Sequence, residues 1–143
     1  MHLSLVLITF FFSPNAQWPP FFPLFLLSAS YNPFVEFRII SNAKNLPTPQ
    51  PGNVQLVYMT YEDVSRRLQV NLNASRSDIF TAEYPYKLCE FKPMFGVLFA
   101  DVVEGFDFWG HVDNDAILGD VLSEDFLDPR FLYSLCNCLI LLF

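Results

Sequence analysis

Apolar segments that alternate between strand-like and helix-like patterns predict an α/β domain built on a mostly parallel sheet with flanking helices. Three observations carry that prediction. Val35 to Ile40 alternates in polarity and is rich in strand formers. Val64, Leu68 and Leu72 mark one face of a helix. Leu3 to Phe10 is apolar but for Ser4 and Thr9, which suits a strand covered on both faces. At 143 residues the chain is one domain, long enough to bury a core. Its hydrophobic content of 52%, with 17% aromatic, excludes a disordered chain.

Taken in order, the first segment has a competitor, since Met1 to Phe12 also resembles the apolar part of a signal peptide. No Lys or Arg precedes the run, however, and Ser13 to Ala16 is a poor small-x-small cleavage site. The run is also too short to span a bilayer, so a first parallel strand is the preferred reading. Ser13 to Pro20 is a turn-rich loop in which Pro19 or Pro20 is placed to open a helix. Phe21 to Ser30 is apolar nearly all round, which predicts a helix packed within a core, closed by Asn32-Pro33. After the strand at Val35 to Ile40, the prolines and glycine between Asn42 and Asn53 predict a loop. Val54 to Met59 is a third strand. Thr60-Tyr-Glu-Asp63 is a near capping box with Asp in the position usually held by Glu, and a helix follows. Pro93 and Gly105 bracket a further helix whose stripe is Phe95, Leu98, Phe99, Val102 and Val103. A final strand runs from Phe106 to Val112, and right-handed crossovers make the four strands parallel neighbours.

The net charge is −7, and the eight basic residues are scattered, with Arg66-Arg67 the only adjacent pair. This argues against a nucleic-acid partner, which needs a concentrated basic face. Three cysteines make no disulfide framework. Cys89 reads as a small core residue, and Cys136-Asn-Cys138 lacks the second pair that a zinc site requires. Asn73-Ala74-Ser75 is a formal glycosylation sequon, a triplet common by chance.

The most informative stretch runs from Gly105 to Asp120. Phe106, Phe108, Gly110 and Val112 fall on one strand face, and Asp107, Trp109, His111 and Asp113 on the other. The strand then runs out into Asp113 and Asp115. Ligands of open α/β sheets sit beyond the carboxyl ends of the strands. Two hard oxygen donors there suit Mg²⁺ or Mn²⁺, which usually keep substrate phosphates in their remaining positions. An acidic chain that handles phosphates needs such a cation to bridge the repulsion. Among nine aspartates, chance alone supplies roughly half an Asp-x-Asp, and a polar turn after a strand has the same spacing. A calcium loop is excluded, because Leu118 stands where its sixth-position glycine would be.

Three blocks, Tyr31-Asn-Pro33, Tyr84-Pro-Tyr-Lys-Leu-Cys-Glu-Phe-Lys-Pro93 and Asp107-Phe-Trp-Gly-His-Val-Asp-Asn-Asp-Ala-Ile-Leu-Gly-Asp120, together resemble a group of glycosyltransferase-like proteins with the GT-A nucleotide-sugar fold. The resemblance spans residues 3–127. It implies transfer of a sugar from a nucleotide-diphosphate donor to an acceptor, a glycan or another molecule. It implies a metal ligand at Asp115 and a ribose or metal contact at Asp113. Lys87, Glu90 and Lys92 match the polar positions preceding the acid pair, the lysines suited to phosphate and Glu90 to ribose or sugar hydroxyls. In the family pattern Asp is commoner than Glu at position 90, and the alternative for each lysine is an ordinary surface charge. His111 reads as a strand-face histidine. The implied organisation is a partial GT-A-like nucleotide-sugar-binding domain over residues 1–130. Residues 131–143 form an apolar tail, either a last buried element or sequence foreign to the fold. Because GT-A enzymes place the acceptor site and often the base after the acid pair, this chain is expected to bind a donor without turning it over. The competing reading is a non-catalytic secreted or membrane-associated protein with an incidental Asp-x-Asp. The sequence leaves the cytoplasm and an endomembrane lumen both open as compartments.

Overall fold

The largely apolar run at the start of the chain is accounted for by its place in the sheet. In the computed structural model, which describes residues 4–74 and 80–122, β1 (Leu5–Phe11) is a central strand. It pairs in parallel with β2 (Val35–Ser41), from Leu5 opposite Val35 to Phe11 opposite Ser41. On its other edge it pairs with β4 (Phe108–His111), from Leu5 opposite Phe108 to Ile8 opposite His111. The third strand, β3 (Val54–Tyr58), pairs with β2, and the order is β3-β2-β1-β4, all parallel. The four strands expected as parallel neighbours are therefore found as such, and the strand reading of the first segment is borne out.

Two hydrophobic layers flank the sheet because successive side chains point to opposite faces. On one face Leu5, Leu7, Phe37, Ile39 and Val54 pack against α1 (Phe22–Ser30) through Phe22, Phe25, Leu26 and Ala29. On the other, Val6, Ile8 and Ile40 meet Val64 and Leu68 of α2 (Tyr61–Leu72), together with Leu88, Phe95, Leu98 and Phe99. Each such fully buried side chain contributes roughly 1.5–3 kcal/mol of transfer free energy.

Three expectations about helices need correction. Pro23, rather than Pro19 or Pro20, occupies the opening turn of α1. That helix is also not enclosed by core, since Phe21, Leu24, Leu27 and Tyr31 are exposed along its outer side. The single helix expected between Pro93 and Gly105 is replaced by three pieces. A 3₁₀ helix runs over Pro85–Met94 with Pro93 inside it, followed by α3 (Phe95–Leu98) and α4 (Ala100–Val103). Gly96, Val97, Val102 and Val103 are weak helix formers. The break at Phe99 leaves both Phe95 and Phe99 fully buried with their rings 5.2 Å apart. Phe106, expected on the face of Phe108, packs instead with the opposite layer, because β4 begins only at Phe108. The tail from Phe131, Cys136, Cys138 and Ser75 of the sequon lie outside the described residues.

The capping box at α2 is complete. Asp63 N–H donates to Thr60 Oγ1 at 3.1 Å, and Thr60 N–H donates to Asp63 Oδ2 at 2.9 Å. The shorter Asp side chain thus closes the box as well as Glu would. Thr60→Ala is expected to cost about 1 kcal/mol, measurable by urea denaturation.

Three hydrogen-bonded carboxylates should make the fold acid-sensitive. Hydrogen bonds from Thr60, Arg67 and Ser4 hold Asp63, Asp101 and Asp107 respectively below their ordinary 3.8. A lowered folded pKa means that the stabilisation is complete above 3.8 and is lost as the pH falls through the lower folded value. Asp107 clamps the start of β4 to β1, its Oδ2 accepting from Ser4 N–H at 2.8 Å and from Ser4 Oγ at 2.9 Å. Melting temperatures should fall as the pH is lowered from about 5 to about 2, and less steeply in Asp107→Asn. Parallel slopes for the two proteins would refute the assignment.

Candidate functional site

The topology creates a crevice at one place. The chain moves outward from β1 through β2 to β3, and then returns to the opposite side of β1 to form β4. The carboxyl ends of β1 and β4 therefore flank the point at which the winding reverses, where open α/β sheets take their ligands. A cavity of about 510 Å³ lies there, floored by Thr9 to Phe12. Pro19 and Phe21 line it, as do Tyr86, Cys89 and Lys92, together with the Asp113 to Asp115 turn. This volume falls within the range of small-molecule sites.

The acid turn is built by hydrogen bonds from β4 to β1. Val112 N–H donates to Ile8 O at 3.0 Å, which carries the pairing one step beyond β4. The chain then turns, with Ala116 N–H donating to Asp113 O at 3.1 Å. Asn114 Nδ2 donates to Phe10 O at 2.7 Å and pins the turn to the end of β1. With Asn114 held inward, Asp113 and Asp115 on either side of it are left exposed at the cavity rim.

The opposite wall follows from 3₁₀ geometry, in which residues three apart eclipse one another. Tyr86, Cys89 and Lys92 fall on one line and face the cavity. Leu88 and Phe91 fall on a second line and pack into the core. Lys87 and Glu90 fall on the third, where Lys87 Nζ meets Glu90 Oε2 at 2.7 Å. Of the five residues singled out in the sequence, Lys92, Asp113 and Asp115 come together around the cavity. Lys87 and Glu90 pair with each other and do not line it.

Lys92 forms an ion pair with Asp113 across the rim. Burial and the Lys92 ammonium push His111 below its ordinary 6.5, against an upward pull from Asp113. The imidazole stands edge-on to Phe95, with centroids 6.2 Å apart, as expected of a strand-face histidine. Burial pushes the Cys89 thiol up, so it stays protonated. Among the described residues no group of three or more His, Cys, Asp or Glu could by itself hold a metal. Two carboxylates would leave the other coordination positions to ligand oxygens and water, which suits Mg²⁺ or Mn²⁺.

Sequence reasoning missed Thr9. It is 1% exposed, its hydroxyl has no hydrogen-bond partner, and it lines the cavity. The signal was present, since Thr9 is the one hydroxyl in the otherwise apolar run Leu5–Phe11. Tyr86 went unread, and Cys89, read as a small core residue, stands half-buried on the cavity wall, because only the three-residue period of the 3₁₀ helix aligns them with Lys92.

No curated protein and no solved structure matches the chain. A family model matches residues 7–135, a span that takes in most of β1, the cavity wall and the acid turn. The chain belongs to that family, a family of unknown function (DUF6625).

Proposed function

We propose that this protein binds a nucleotide-diphosphate sugar through Mn²⁺ or Mg²⁺ held by Asp113 and Asp115, on a GT-A-like sheet. The observation that carries the reading is the placement of the acid turn. Both carboxylates stand at the rim of a 510 Å³ cavity at the switch point of a parallel sheet. A bound cation would act there as a Lewis acid for the negative charge on a diphosphate. The chain's own residues supply the rest. Asn114 fixes the turn, Lys92 brings a positive charge, and Phe10, Phe21 and Tyr86 supply apolar surface. With both rim carboxylates assigned to the metal, no other carboxylate among the described residues lines the cavity. The reading is one of donor binding.

Calorimetry with ADP, GDP, CDP and UDP, each with and without Mn²⁺, tests this. Binding of at least one nucleotide should require the metal and weaken by about tenfold or more in Asp115→Ala, the loss of one charge-assisted ligand. Equal affinities with and without metal, unchanged in Asp115→Ala, would rule the site out.

A further inference from the structure

Lys92 sits where an incoming cation must go. We infer that Lys92 is a built-in counter-ion, holding Asp113 in the empty protein and passing to the phosphate oxygens of the ligand once a divalent metal takes Asp113. The inference rests on the reading of the cavity given above and adds an order of events to it.

The argument begins with the ion pair. Lys92 Nζ is bonded directly to Asp113 Oδ1. A divalent ion on that carboxylate would lie within a few ångströms of the ammonium, and like charges so close repel strongly. Metal and Lys92 therefore compete for Asp113. The displaced ammonium stays in the cavity, because the Lys92 side chain is 19% exposed against 60% for Asp113 and its stem lies along the cavity wall beside Cys89. Glu90 is no alternative partner on that wall, since it lies on another line of the 3₁₀ helix and is paired with Lys87.

A second polar group lies close by. Thr9 is buried on the cavity floor with its hydroxyl unpaired, and buried hydroxyls ordinarily have a partner. An anionic ligand with several oxygens, seated between the floor of the cavity and its rim, would meet the released ammonium. Lysine is suited to this, as a mobile point charge on a flexible stem.

The test compares wild type, Lys92→Met and Lys92→Arg in two titrations, one with Mn²⁺ alone and one with a nucleoside diphosphate at saturating Mn²⁺. Mn²⁺ binding is followed by the paramagnetic relaxation of water protons. Lys92→Met should bind Mn²⁺ about fivefold more tightly than wild type, the equivalent of one exposed ion pair. The same variant should bind the nucleotide about tenfold more weakly, the loss of one charge-assisted contact. Lys92→Arg should return both affinities toward wild type. Opposite changes are the signature, since a merely structural role would weaken both titrations together. Wild type that binds Mn²⁺ while Lys92→Met binds it no better would overturn the inference alone. Failure of all three proteins to bind Mn²⁺ would overturn the reading of the acid turn and the inference with it.

Discussion

Phe95→Ala is expected to lower stability by about 3–5 kcal/mol, the usual cost of emptying a fully buried phenylalanine site. Phe95 is 0% exposed and stands at the junction of the 3₁₀ helix and α3. Its ring packs edge-on to Phe10 at 5.9 Å and to Phe99 at 5.2 Å, and faces His111 at 6.2 Å. It therefore touches both strands whose ends carry the cavity, so the damage should reach the site. Burial is the first reason that His111 titrates low. Opening space beside it should move the imidazole back toward its ordinary 6.5, which a proton NMR titration would follow. A variant melting within a few degrees of wild type would show that the layer re-closes around the gap, which the stiff neighbouring rings argue against.

Gly96→Val should be nearly as damaging, at about 2–3 kcal/mol, for the opposite reason of excess volume. A Cβ built at Gly96 falls inside contact distance of the Trp109 indole, against its Cε2, Cζ2 and Nε1 atoms. Trp109 is buried in the core layer and belongs to β4, the strand that leads into the acid turn. The ring is packed within that core layer, so it can withdraw only by disturbing its neighbours. A second change, Trp109→Leu, removes the clash, so the double variant should lose less than the sum of the two single changes. Strict additivity in urea denaturation would show that Gly96 matters for some reason other than the indole.

The sheet was legible because each strand carried its own pattern. β1 read as doubly covered, β2 as alternating, and the Asp pair marked the end of β4. The capping box at Thr60 was legible for the same local reason, its four residues being consecutive. Much of what was illegible depended on tertiary packing. The stripe from Phe95 to Val103 has helical spacing, yet the helix breaks at Phe99, among the weak helix formers Gly96, Val97, Val102 and Val103. Within the site, Asp113 and Asp115 could be found from spacing and chemistry. Lys92 could be named only together with Lys87 and Glu90, because a sequence does not announce a three-residue period. Thr9 lies some hundred residues from the acids it joins, and only the pairing of β1 with β4 brings them together.

The three-residue repeat of the cavity wall sets a rule for length variation in this protein. Each residue added to a 3₁₀ helix rotates everything beyond it by about 120°. One residue inserted after Tyr86 would carry Leu88 and Phe91 into the cavity and turn Lys92 out to solvent, leaving Asp113 without its counter-ion. Three residues inserted at the same point would lengthen the wall by one turn and return every side chain to its own line. The wall has a reading frame, and variants of it should tolerate insertions in threes while failing at one or two.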